Sequence, residues 1–67
     1  MSRETGYYDS NGRSIREGDW IRAKYGYEYR VIRDASTLEW IVEDRDGLRR
    51  MPLSRVAGFS ERMDEKG

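Results

Sequence analysis

Among its 67 residues the sequence has no cysteine, no histidine and a single proline. Without cysteine there is no disulfide framework and no thiolate metal site. Without histidine the commonest general base and the commonest metal ligand are gone. Most routes to an enzyme close here, and neither a cofactor nor a metal is expected. No apolar run approaches the roughly 20 residues of a membrane span, and the opening residues lack the pattern of a secretory leader. The expected compartment is the cytoplasm, with no membrane partner. Charge of one sign is missing too. Thirteen Lys and Arg face 13 Asp and Glu, so the net charge is zero. A dedicated binder of nucleic acid or anionic membrane usually shows a basic excess.

Aliphatic residues are also few: three Leu, four Ile and three Val, joined by one Phe. Two Trp and five Tyr add to the apolar stock. Those aromatics, with the zero net charge, separate the chain from disordered sequences even though 39% of it is charged. The length suits one domain with a thin core.

What is present is a chain of short alternating runs divided by turns. Tyr7 and Tyr8 precede Asp9-Ser10-Asn11-Gly12, whose Asn-Gly pair is a strong turn signal. Glu17-Gly18-Asp19 marks a second turn. From Trp20 to Tyr25, Ile21, Ala23 and Tyr25 alternate with Trp20, Arg22 and Lys24. From Tyr27 to Arg33, Tyr27, Tyr29 and Val31 alternate with Glu28, Arg30 and Ile32. From Leu38 to Glu43, Leu38, Trp40 and Val42 alternate with Glu39, Ile41 and Glu43. A period of two over six or seven residues predicts half-buried antiparallel strands. Leu48 to Met51 predicts a short strand stopped by Pro52, which cannot donate to a ladder. Leu53 and Val56, three apart, suit one 3₁₀ turn. Val56 to Phe59 reads as a last short strand.

About five short strands and one helical turn predict an all-β fold, a small SH3-like barrel spanning residues 1–67 as a single domain, with residues 1–6 and 60–67 as flexible ends. The expected core is Ile15, Ile21, Ala23, Tyr29, Val31, Leu38, Trp40, Val42, Met51, Leu53, Val56 and Phe59.

The stretch from Thr5 to Arg22 carries a longer spaced string. It runs Thr5-Gly6, Asp9-Ser10-Asn11-Gly12-Arg13, Ile15, then Glu17-Gly18-Asp19-Trp20-Ile21-Arg22. This string resembles a segment of YopX-like proteins, small proteins of phages and prophages. The resemblance implies a phage-related, intracellular, SH3-like β protein of unassigned biochemical function. It implies structural duty for the motif: Asn11 and Gly12 in a turn, Ile15 and Ile21 in the core, Gly18-Asp19 opening the first long strand. It brings no catalytic or binding residue with it.

Several constellations invite chemistry. Asp44, Asp46 and Gly47 look like the start of a calcium loop, but no bidentate Glu follows, and a hairpin turn accounts for them. Glu43, Asp44 and Asp46 at a turn tip do not converge across a cleft as paired catalytic carboxylates must. On the outward strand faces Arg22, Arg30 and Arg50 interleave with Glu28, Glu39 and Glu43, which favours cross-strand pairs over a continuous basic stripe. A one-residue slip near Leu48 exchanges the faces of Arg49 and Arg50.

Two candidate surfaces remain. Trp20, Ile32 and Ile41 fall on the outward face and form a candidate protein-contact patch, covered by the chain's own ends or by a second copy. Tyr25, Tyr27, Arg49 and Arg50 form a candidate loop rim. The expected function is a non-enzymatic, phage-derived binding module acting through a protein partner or self-association. The alternative is weak nucleic-acid binding through the Tyr and Arg rim.

Overall fold

The short sequence motifs that punctuate the chain become its turns. The computed structural model describes residues 3–63. Strand β1 (Glu4–Tyr8) runs into the Asp9–Gly12 turn and pairs antiparallel with β2 (Ser14–Arg16). Gly12 supplies the left-handed conformation this turn needs, at φ 81°. Gly18-Asp19 then leads into β3 (Trp20–Ala23), which turns through Tyr25-Gly26 into β4 (Glu28–Arg33). Strand β5 (Trp40–Asp44) and edge strand β6 (Arg50–Pro52) complete a four-stranded meander. One helical turn, α1 (Leu53–Val56), continues as a 3₁₀ turn, Ala57–Phe59. The last strand, β7 (Ser60–Arg62), returns to pair with β3. The sheet order is β6-β5-β4-β3-β7, with β1-β2 as a separate ribbon. The meander, the helical turn and a closing strand beside β3 make a small, antiparallel all-β fold.

Register divides the sheet cleanly. Ile21 lies opposite Tyr29, and Val31, Val42 and Met51 form one row across three strands. These side chains meet Ile15, Ala23, Leu53, Val56 and Ala57 in the core. Trp40 and Met51 pack against that core from its margin. On the other face Arg22 pairs with Glu28, and Arg30, Glu43 and Arg50 form the next row. Ile32, Ile41 and Pro52 form a third, apolar row.

Several sequence expectations are corrected. Leu38 is not core. It adopts φ 62° in the Asp34–Glu39 loop and is 61% exposed. Asp34 Oδ1 accepts from the N–H groups of Ser36 and Thr37, and the Leu38 N–H donates to the Asp34 carbonyl. The strand begins at Trp40, two residues after the point where the alternating pattern starts. Phe59 is 39% exposed because the helical stripe is Leu53, Val56 and Ala57, at i, i+3 and i+4. Ala57 takes the buried place instead. The segment Val56–Phe59 is helical rather than a strand, and the final strand lies later, at Ser60–Arg62. The segments read as flexible ends carry strand pairing over Glu4–Gly6 and Ser60–Arg62. Residues 1, 2 and 64–67 lie outside the described residues.

One side chain ties these parts together. Asp9 is buried, with its carboxylate fully out of solvent. Its Oδ1 accepts from the N–H groups of Asn11 at 2.9 Å and Arg13 at 2.8 Å. Its Oδ2 accepts from the N–H of Arg62 on β7 at 3.0 Å. The Ser10 N–H donates to the Ser60 carbonyl beside it. The Arg62 guanidinium returns along the same seam, donating to the Ser14 carbonyl and pairing with Asp19 at 3.4 Å. The ribbon is thereby fastened to the outer edge of β7.

Burial alone would raise the Asp9 carboxyl. The three N–H donors, from Arg62, Arg13 and Asn11, together with the Arg13 charge outweigh it and hold the group below its ordinary value of 3.8. The stabilisation is whole above that value and is lost as pH falls through the lower folded one. Asp9→Ala is expected to cost about 2–3 kcal/mol by orphaning buried donors. For a domain of this size that lowers the Tm by roughly 10–20 °C in calorimetry. The acid side of the wild-type Tm profile should flatten in Asp9→Asn; an unchanged slope would remove Asp9 as the source of acid sensitivity.

Candidate functional site

Tyrosine is the residue this chain uses where aliphatics run out, and four rings gather at one end of the sheet. Tyr25 sits in the β3–β4 turn, and Tyr27 immediately precedes β4. Their rings meet edge to face at 5.2 Å between centroids. Tyr25 also touches Phe59 of the 3₁₀ turn at 5.7 Å. Tyr27 meets Tyr29 at 6.5 Å, again edge to face. Such geometries suit aromatic quadrupoles. Tyr29 is the buried anchor of the group, while Tyr25 is 53% and Tyr27 56% exposed.

The Tyr25 and Tyr29 hydroxyls share a hydrogen bond at 3.3 Å. Burial, with that hydrogen bond, pushes the Tyr29 phenol up to about 12, against a weaker opposite pull from Arg49. Beside Tyr27 and Tyr29 lies a cleft of 220 Å³ whose other walls are Asp44, Asp46 and Arg49. A second cleft of 290 Å³, also lined by Tyr27, is bounded by Gly26, Glu28, Asp44, Arg45 and Asp46. Tyr27, Asp44 and Asp46 thus line both clefts.

The β5–β6 turn that carries these aspartates is held from two directions. Asp44 Oδ1 accepts from the Leu48 N–H at 3.0 Å, the local turn closure expected of an Asp at this place. Arg45 reaches over the sheet, with its Nε 2.7 Å from Glu28 Oε1 and its guanidinium carbon 4.3 Å from the centre of the Trp20 ring. The Arg45 hydrogen bond, with further help from Arg22 and against some burial, holds the Glu28 carboxyl below its usual range. Nothing in the local sequence marks Arg45 for this task; the register that sets Glu28 and Trp20 beneath it spans three strands.

The rim residues divide. Tyr25, Tyr27 and Arg49 share the loop end. Arg50 lies on the outer sheet face, its Nε 3.1 Å from Glu43 Oε2. The register near Leu48 is settled with Arg50 opposite Glu43. Phe59 joins the rim unannounced, and its place off the Leu53, Val56, Ala57 stripe was the available signal.

The patch residues occupy one face. Ile32 and Ile41 are direct cross-strand partners. Ile41, 8% exposed, is buried apart from the main core, flanked in its row by Ile32 and Pro52. Trp20 and Ile32 are half-buried, Trp20 beneath Arg45. The Met63 N–H donates to the Trp20 carbonyl at 2.8 Å, so the chain's own C-terminal segment borders this patch.

Among the described residues no helix is long and apolar enough to cross a membrane, and no cluster of acidic side chains is arranged to hold a metal ion. Comparison with protein-family models, with curated proteins and with solved structures finds no match. What this site can do therefore rests on its geometry. It offers exposed rings, the carboxylates of Asp44, Asp46 and Glu28, and the guanidinium groups of Arg49 and Arg45 around two clefts.

Two expectations follow. Stability due to the neutral Tyr29 phenol is complete below its ordinary value of 10.0 and is lost as pH rises from there towards about 12. Tyrosinate absorbance should show a late component near pH 12 that Tyr29→Phe lacks. Joint replacement Ile32→Thr and Ile41→Thr should lower stability by about 1–3 kcal/mol without altering solution mass in light scattering. A fall in mass would instead make this face an interface between copies.

Proposed function

We propose that this protein is a small non-enzymatic binding module that contacts a protein partner through its loop rim. The observation that carries the reading is the set of exposed rings at one end. Tyr25 and Tyr27 of the β3–β4 turn and Phe59 of the 3₁₀ turn are all exposed, and Tyr25 touches both of the others. Aromatic rings dominate protein contact surfaces because they bury large area at low entropic cost. Exposing three of them in a chain so poor in apolar residues runs against its own need for core.

The non-enzymatic part of the reading is supported by how the carboxylates are used. Asp9 holds backbone N–H groups, while Glu28 and Glu43 pair with arginines. The mixed charge of the rim favours a protein over nucleic acid, since phosphate binding gains from summed cationic contacts. Arg50, one of the two arginines a nucleic-acid rim would need, pairs with Glu43 on the outer face. An origin in a phage or prophage, and a bacterial cytoplasm as compartment, are supported by the string from Thr5 to Arg22 that resembles YopX-like proteins.

Selection of a displayed random-peptide library against the protein tests this reading. Enriched peptides should lose affinity by about ten-fold or more in Tyr27→Ser, the size of effect expected of a hot-spot ring. Failure to enrich any peptide over the Tyr27→Ser protein, with salt-sensitive capture of an oligonucleotide, would replace it with the nucleic-acid reading.

A further inference from the structure

The two clefts beside Tyr27 are small. At 220 and 290 Å³ they fall below the roughly 300–1,000 Å³ of ordinary small-molecule pockets. Their size suits one side-chain head group rather than a cofactor or drug-sized ligand. Their chemistry is also specific. Tyr27 and Tyr29 supply rings, whose faces attract cations. In the 220 Å³ cleft Asp44 and Asp46 supply two negative charges against the single positive charge of Arg49; the 290 Å³ cleft adds Glu28 and Arg45, which pair with each other. Asp44 uses one carboxylate oxygen to close its turn. The Asp46 carboxylate has neither a hydrogen-bond nor an ion-pair partner among the described residues, and the residue is exposed. The turn that bears both is braced by Arg45 against Glu28 and Trp20, so the carboxylates are presented on a held loop.

We infer that the cleft between Tyr27 and the Asp44–Asp46 turn receives a cationic side chain, arginine or lysine, of the protein partner. This rests on the loop rim being the contact surface and names the chemistry it selects. The incoming cation lies against the Tyr27 ring with its charge towards Asp46. Arg49 occupies the same wall and opposes it. The assignment therefore makes a prediction of sign: neutralising Arg49 strengthens cation binding, whereas at a phosphate-binding rim the same change weakens binding.

The experiment is an NMR titration of the full chain with capped single residues: N-acetyl arginine amide, its lysine counterpart, and the uncharged citrulline and norleucine counterparts. The cationic probes should shift Tyr27 ring and Asp46 amide signals with a dissociation constant on the order of millimolar. Tyr27→Ala should weaken this about ten-fold. Asp46→Asn should weaken it about two- to five-fold, as for an exposed ion pair. Arg49→Gln should tighten it by about the same factor. All three positions are exposed, and a retained fold is checked in the same spectra.

Equal shifts from citrulline and arginine would overturn the cation assignment and leave the rim standing as a contact surface. Shifts weakened by Arg49→Gln would overturn it as well. No shift at Tyr27 or Asp46 from any probe overturns it too, and peptide selection then judges the rim independently.

Discussion

The buried carboxylate of Asp9 is the constraint on which this small fold depends. A chain with so few aliphatic residues cannot join its ribbon to its sheet by hydrophobic burial alone. Its N-terminal ribbon contributes little more than Ile15 and Thr5 to the interior. Asp9 compensates by satisfying N–H groups of its own turn and of Arg62, distant in sequence. The last strand is held on one side by β3 and on the other by this turn, so neither of its edges is left open. That is how an edge strand of three residues is kept from pairing elsewhere.

With closure entrusted to polar groups, the apolar side chains are free to concentrate. Ile21, Val31 and Val42 sit at the middle of the sheet, and Leu53 and Val56 cap them from the helical turn. Tyr29 completes this core at its loop end and carries a hydroxyl that must find a partner. Tyr25 provides it. Burial of one tyrosine thus recruits a second, and Tyr25 in turn contacts Tyr27 and Phe59. The exposed rim proposed as the binding surface is the outer layer of an aromatic group whose inner member is core. Binding there would act on rings already positioned by the fold, at little ordering cost.

Much of this was legible in the residues. Alternation over Trp20 to Tyr25 and Tyr27 to Arg33 locates β3 and β4, which stop short of the exposed Tyr25 and Tyr27, and the turns at Asn11-Gly12 and Asp46-Gly47 follow from turn chemistry. The interleaved outer face follows for Arg22, Glu28, Arg30 and Glu43, which lie where period two places them, whereas the face of Arg50 is set by the pairing of β6 with β5, and Glu39 falls in the loop before β5. Leu38 was misplaced because alternation says nothing about where a loop ends. Asp34 and Thr37 accept local backbone hydrogen bonds in that loop, where Leu38 is left-handed. Strand β1 was missed because Glu4 to Tyr8 shows one buried residue in five. Its partner is a short ribbon strand rather than a broad face that would enforce alternation.

The sequence by itself determined the class of structure: all-β, antiparallel, held by short turns and without disulfides. Those properties are local, set by side-chain period and by the backbone preferences of Asn, Asp, Gly and Pro. Only the tertiary structure decided which residues meet at the site. That Tyr27, Asp46 and Arg49 share a cleft while Arg50 does not depends on the register of β6 against β5, where one residue of slip exchanges the two faces. That Arg45 lies over Trp20 and Glu28, and that Arg62 reaches Asp9, depends on strands brought together from distant parts of the chain. Pairing across such distances is chosen by the whole hydrogen-bonded sheet, and no short stretch of residues carries it.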